Sequence, residues 1–231
     1  MQIRGRVGSR RRPHGGTDCP IVPLRAQTET AAPPGAWRFT PHITLIYYLT
    51  GRDVAIASIT DLLDSVHACL EAAGVDHALI GAFALAAWGV QRATNDIDFL
   101  IDGAKVAAAR SALENKGFTV FHASDEVLQM AGPGPVDFVL ARRPLSQAML
   151  ARASARTFRG IKCIGPEDLI GLKIQAYKND PRRELQDRAD IQRLIEVTPS
   201  LDWARIKQYA DLFSEWATVE DLRRRAGRNG P

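Results

Sequence analysis

Apolar residues recur at helical spacing from Ala55 to Ala73, where Ile56, Ile59, Leu62, Leu63, Val66, Leu70 and Ala73 share a face. Gly74 follows as a stop, so a helix over 55–73 is predicted. Residues 76–80 (DHALI) read as a first strand, 81–89 as a short apolar helix closed by Gly89, and 96–101 (DIDFLI) as a second strand. Asp102-Gly103 opens a helix to about Lys116, ended by Gly117. Strands are expected at 118–122, 126–130, 136–141 and 158–164, with a Gly-Pro turn at 132–135. After residue 164 the pattern is helical: 166–178, 181–197, 201–216 and 219–225. Pro166 and Pro181 suit first-turn positions, where the missing N–H has no partner to lose. Strands mixed with helices, followed by helices alone, predict an α/β (α+β) body. Its mixed β-sheet with flanking helices occupies 53–164, and a helical C-terminal region, 165–231, packs on it.

Charge changes this picture at the N-terminus. The net charge is +4. Residues 1–52 hold eight Arg and two acids, a balance of +6, whereas the remainder holds 22 basic and 24 acidic side chains, a balance of −2. The basic excess therefore belongs to the first 52 residues and gives no reason to read the body as a nucleic-acid binder. Residues 1–36 lack apolar periodicity and are expected to be disordered, a dispensable tail, a basic arm for RNA, or a false upstream start. Residues 37–52 form a candidate strand or packing segment. No apolar run is long enough to span a bilayer, and the Arg-rich start lacks the apolar core of a signal peptide. Three scattered cysteines, Cys19, Cys69 and Cys163, suit free thiols in a cytoplasmic protein. His67, His77 and His122 have no metal or triad spacing and are read as structural. No GxSxG, Walker A or HExxH pattern occurs.

The chemistry is concentrated in residues 80–101, IGAFALAAWGVQRATNDIDFLI. In a strand, Asp96 and Asp98 point the same way, roughly 7 Å apart along the backbone, while Ile97, Phe99 and Ile101 point into a core. Such carboxylates repel unless a cation or a proton sits between them, and hard oxygen ligands suit Mg²⁺. A solvated polar face is the competing reading. Gly81-Ala82 at a strand-to-helix bend offers backbone N–H groups to phosphate. Six cations between residues 142 and 162 (Arg142, Arg143, Arg152, Arg156, Arg159, Lys162) have no acid among them. Arg152 and Arg156 are expected on one helix face, and the cluster either binds phosphate or pairs with acids elsewhere.

With Gly81, Ala84, Gly89, Arg92, Thr94, Asp96 and Asp98 at these offsets, the stretch resembles the nucleotidyltransferase superfamily, and most closely the AbiEii-type and related minimal nucleotidyltransferases. The departure is Ala82, where Gly or Ser is usual. The run GPEDLIGLKIQAYKNDPRRELQDRADIQRLI is similar to the AbiEii-type tail through Asp168, Lys173, Asp187 and Asp190. The resemblance implies a nucleotidyltransferase-like sheet and Mg²⁺-dependent transfer of an NMP from an NTP to a hydroxyl of RNA or protein. It implies Asp96, Asp98 and Asp137 as metal ligands, with Asp137 alternatively a base or a solvated edge residue. Lys173 would meet phosphates, Arg92 would pair with a carboxylate, with the triphosphate or with a helix end, and Thr94 would contact the nucleotide or only cap the turn. Asp187 and Asp190 would orient the second substrate, hold Lys173, or form an ion-pair network. A toxin of a toxin–antitoxin or phage-defence pair, with an antitoxin protein as partner, is the implied biology. The alternatives are an inactive binding or antitoxin-like module, favoured by Ala82, and a small-molecule transferase of the aminoglycoside-modifying sort.

Overall fold

The computed structural model describes residues 58–153 and 156–228. The expectations for residues 1–52, and the start of the first helix before Ser58, lie outside the described residues. Ser58 caps helix α1 (Ile59–Ala72): its hydroxyl accepts from the Asp61 N–H, and the Asp61 carboxylate accepts from the Ser58 N–H at 3.0 Å. This reciprocal pair satisfies two donors that a helix start leaves open. Leu62, Leu63, Val66 and Leu70 of α1 are buried as the periodicity requires.

The strands are β1 (His77–Leu79), β2 (Ile97–Asp102), β3 (Thr119–Ala123), β4 (Val127–Ala131), β5 (Val136–Ala141), β6 (Arg156–Phe158) and β7 (Ile161–Cys163). They form one seven-stranded mixed sheet in the order β3-β4-β5-β2-β1-β7-β6. β2 runs parallel to β5 and antiparallel to β1, and β1 runs parallel to β7. Between them lie α2 (Gly81–Ala87), a 3-10 turn (Gly103–Lys105), α3 (Val106–Glu114) and α4 (Pro144–Arg152). Ile97, Phe99 and Ile101 are buried as expected, and Leu100 is fully buried too, because helices cover the opposite face of the sheet along that stretch.

Two local expectations are corrected. Residues 158–164 are not one strand, because the left-handed residues Arg159 and Gly160 fold β6 back on β7 as a hairpin. Arg152 and Arg156 do not share a helix: α4 ends at Arg152, and Arg156 opens β6, where it donates to the Ala87 carbonyl at 3.1 Å and stacks 4.7 Å from the Trp88 ring. Four of the six cations of this segment find acids outside it, Arg143 with Glu126, Arg152 with Asp168, Arg159 with Asp64 and Lys162 with Asp76.

After β7 come α5 (Pro166–Asn179), a 3-10 turn (Pro181–Arg183), α6 (Glu184–Val197), α7 (Trp203–Leu212) and α8 (Trp216–Arg228). α5 packs on α2 and on α6 and α7. Gly171 lets the Tyr209 ring lie against the α5 backbone, since a Cβ there would stand 2.7 Å from it. The Tyr209 hydroxyl in turn donates to the buried Asp168, which also accepts from Arg152 at 2.9 Å. Among the described residues no helix is long and apolar enough to cross a membrane.

Candidate active site

The parallel pairing of β2 with β5 places Asp98 directly beside Asp137. Asp96 sits in the bend just before β2, and ligand atoms of the three carboxylates lie within 4.8 Å of one another. Asp96 is oriented by Thr94, whose hydroxyl donates to its Oδ1. Gln129, opposite Asp137 on β4, donates to Asp137 Oδ2 at 3.0 Å. No side chain among the described residues donates a hydrogen bond to Asp98.

Gly81 closes the other side. Its φ is +59°, and a Cβ added there would stand 1.9 Å from Asp98 Oδ2. Only glycine both adopts this left-handed turn easily and leaves room for the carboxylate. Ala82 is buried at 4% exposure and lines neither of the two neighbouring cavities, so its methyl group faces protein.

Crowding raises the proton affinity of this cluster. Burial, then the charges of Asp96 and Asp137, pushes Asp98 up to about 7, against the opposing pull of Arg183 and Lys173. Burial also raises Asp137, with the Gln129 hydrogen bond pulling the other way. Carboxylates that repel one another and lack a facing donor at Asp98 have the chemistry of a hard divalent-cation site, and Mg²⁺ fits this donor set.

One cavity of about 330 Å³ is walled by Arg92, Thr94, Asp96, Asp98, Arg183 and Gln186. A second, of about 360 Å³, lies against Gly81, Asp98 and Asp137, with Glu126, Gln129, Leu169, Leu172, Lys173, Asn179 and Asp180 in its wall. Asp98 and Arg183 belong to both.

The remaining expected residues gather behind these cavities. Lys173, 5% exposed, places Nζ 2.9 Å from Asp187 Oδ1 and 2.6 Å from Asp190 Oδ2. Arg92 Nε approaches Asp190 Oδ2 at 3.2 Å, close enough to attract but misaligned for a hydrogen bond. Arg183 Nε donates to Asp187 Oδ2 at 3.2 Å. The two acids of α6 thus hold Lys173 and tie the connector before β2 to the C-terminal helices. Asp168 is separate from this group, paired instead with Arg152 and Tyr209.

Arg183, Gln129 and Gln186 are site residues that the sequence reading did not single out. Arg183 had one available signal, its position four residues before Asp187, the spacing that brings two side chains together at a helix start. Gln129 had none, because its place depends on the β4–β5 register.

A mixed sheet whose parallel strands bring three carboxylates to a glycine bend, backed by helices, is a nucleotidyltransferase-like fold. No family profile matches the sequence, and no curated protein matches it. Among solved structures, the antibiotic-resistance factor ANT(2'')-Ia in solution aligns with a TM-score of 0.53 and 17% identity, over 71% of this chain and 96% of that one. A crystal structure of ANT(2")-Ia in complex with adenylyl-2"-tobramycin aligns at 0.48 and 17% identity, over 74% and 98%. The lincosamide antibiotic adenylyltransferase LnuA, lincomycin-bound, aligns at 0.42 and 17% identity, over 59% and 96%.

Proposed function

We propose that the protein is a divalent-metal-dependent nucleotidyltransferase that moves an NMP from an NTP to a hydroxyl acceptor. The observation that carries this reading is the convergence of Asp96, Asp98 and Asp137 beside Gly81. The acceptor oxygen bonds to the α-phosphorus, the bond from that phosphorus to the bridging α–β oxygen breaks, and pyrophosphate leaves. Asp96, Asp98 and Asp137 would hold Mg²⁺, which when bound stabilises negative charge on the attacking and leaving oxygens. Asp137, whose raised proton affinity suits a base, takes the hydroxyl proton where it does not serve as a third ligand. Arg183 faces both Asp96 and Asp98 and meets the phosphates, while Lys173, engaged by two acids, positions α6. Arg92 and Thr94 fix the connector on which Asp96 sits.

The acceptor reading we favour is a small hydroxylated molecule. The 360 Å³ cavity beside Asp137 has small-molecule size, and Glu126 and Asp180 in its wall neutralise the nearby Arg143 and Arg182. Four of the six cations in 142–162 pair with acids, which reduces the charge this segment offers an RNA backbone. The structural neighbour ANT(2'')-Ia is an antibiotic-resistance factor, which agrees with this class. The RNA or protein acceptor, the toxin role and the antitoxin partner rest on the AbiEii-type resemblance of the sequence. The inactive-module alternative loses its main support if Ala82 contributes only its backbone, as its buried side chain implies.

A labelled-NTP transfer assay with Mg²⁺, offered aminoglycosides, lincosamides, tRNA and protein, tests the reading. Label on a small-molecule hydroxyl is expected, and Asp96→Ala abolishes it without unfolding the chain. Label on tRNA or protein alone overturns the small-acceptor choice. Transfer unaffected by Asp96→Ala overturns the site.

A further inference from the structure

A second cluster lies at the opposite end of β1 from Gly81. Three residues without metal-like sequence spacing meet there: His67 and Glu71, one turn apart on α1, and His77 at the start of β1. One ligand atom from each lies within 4.8 Å of the others. His67 Nδ1 is 2.7 Å from His77 Nε2, and Glu71 Oε1 is 3.9 Å from the same nitrogen. The Gly74 turn produces this meeting, because it returns the chain along α1 and brings position 77 beside positions 67 and 71.

The proton positions follow from the partners. His77 Nδ1 lies 2.8 Å from the Val75 carbonyl, which can only accept, so Nδ1 carries the proton. Burial lowers the proton affinity of His77, with the Val75 carbonyl and the charges of Glu71 and Asp76 pulling the other way. Its Nε2 is then a bare lone pair pointing at His67. An imidazole whose far nitrogen is fixed on a backbone carbonyl is oriented as metal-bound histidines are. Phe99 packs edge-on behind it, with ring centroids 5.5 Å apart, and prevents rotation.

We propose that His67, Glu71 and His77 form a Zn²⁺ site that clips the end of α1 to β1, separate from the carboxylate cluster. Two imidazole nitrogens and one carboxylate are a borderline-soft donor set, which selects Zn²⁺ over Mg²⁺. Tetrahedral Zn²⁺ with Zn–N of about 2.0–2.1 Å sets its nitrogens about 3.3 Å apart, so the rings separate by about 0.6 Å on binding. His67 is only half-buried and can make that movement, and its Nδ1 proton transfers to its Nε2. Glu71 is exposed and swings in. The fourth position faces solvent and takes water.

The test uses the full chain, stripped of metal, in an Asp96→Asn/Asp98→Asn background that removes the competing carboxylates. Zn²⁺ is titrated calorimetrically, and Co²⁺ serves as a visible-absorption probe of coordination. One equivalent of Zn²⁺ is expected, with Co²⁺ bands of a four-coordinate ion and a Tm rise of about 3 °C or more. Adding His67→Ala should abolish the Co²⁺ bands and weaken Zn²⁺ at least about tenfold. Glu71→Gln, at an exposed position, should weaken it while leaving the metal-free Tm unchanged. Zn²⁺ binding that survives both substitutions, or no Zn²⁺ binding in the starting background, overturns the site.

Discussion

Asp98→Asn is expected to stabilise the metal-free protein while destroying its metal site. The folded carboxyl titrates at about 7, against 3.8 for the ordinary group. A raised folded value means that the native state keeps the proton longer than the unfolded chain does. The associated stability is complete below about pH 4, declines as the unfolded chain ionises, and is lost once the pH passes about 7. At 1.36 kcal/mol per unit the shift corresponds to a ceiling of about 4 kcal/mol. Water reaching this half-buried group reduces that, so Asp98→Asn should gain about 2–4 kcal/mol at pH 8 and close to nothing at pH 4. Urea unfolding at 25 °C in EDTA, repeated at pH 4.5, 6 and 8, reads the difference directly. Mg²⁺ added at pH 8 should stabilise the wild type and not the variant. Stability curves for the two proteins that stay parallel from pH 4.5 to pH 8 would refute the claim that burial and the neighbouring carboxylates hold a proton on Asp98.

Gly81→Ala should cost about 1–2 kcal/mol for the left-handed turn, and by displacing Asp98 should lower NMP transfer by about 100-fold or more, measured with the labelled NTP. Lys173→Met leaves Asp187 and Asp190 buried with only Arg183 and Arg92 beside them, and should destabilise by about 3 kcal/mol in urea unfolding. Adding Asp190→Asn to Lys173→Met should recover part of that loss, because one stranded charge is removed.

The central strands were legible because their patterns are strong. VDFVLA matches β5 to the residue, and the apolar stripe of α1 matches the buried face. The carboxylate cluster was legible in part, since alternation places Asp96 and Asp98 on one side. What brings Asp137 to them is a six-residue parallel pairing between segments some forty positions apart, which no local pattern encodes. The β6–β7 hairpin was missed because its turn, Arg159-Gly160, sits inside an otherwise continuous strand-like run. The long helix read over 201–216 breaks at Phe213–Glu215, where Ser214 takes a positive φ of 57° that sequence composition does not announce. The His67–Glu71–His77 meeting was invisible for a related reason, since two periodicities, helix and strand, must be joined across a turn before the spacing means anything.

The order of these parts along the chain has its own consequence. All three acids of the cluster are in place once β5 exists, whereas Lys173 and Arg183, the cations that face Asp98, come later, on α5 and the turn after it. During synthesis the sheet emerges from the ribosome with an unbalanced negative face, and the residues that offset it arrive only with α5 and the turn that follows it. The pocket therefore becomes electrically complete only after the strands that carry its acids have been made.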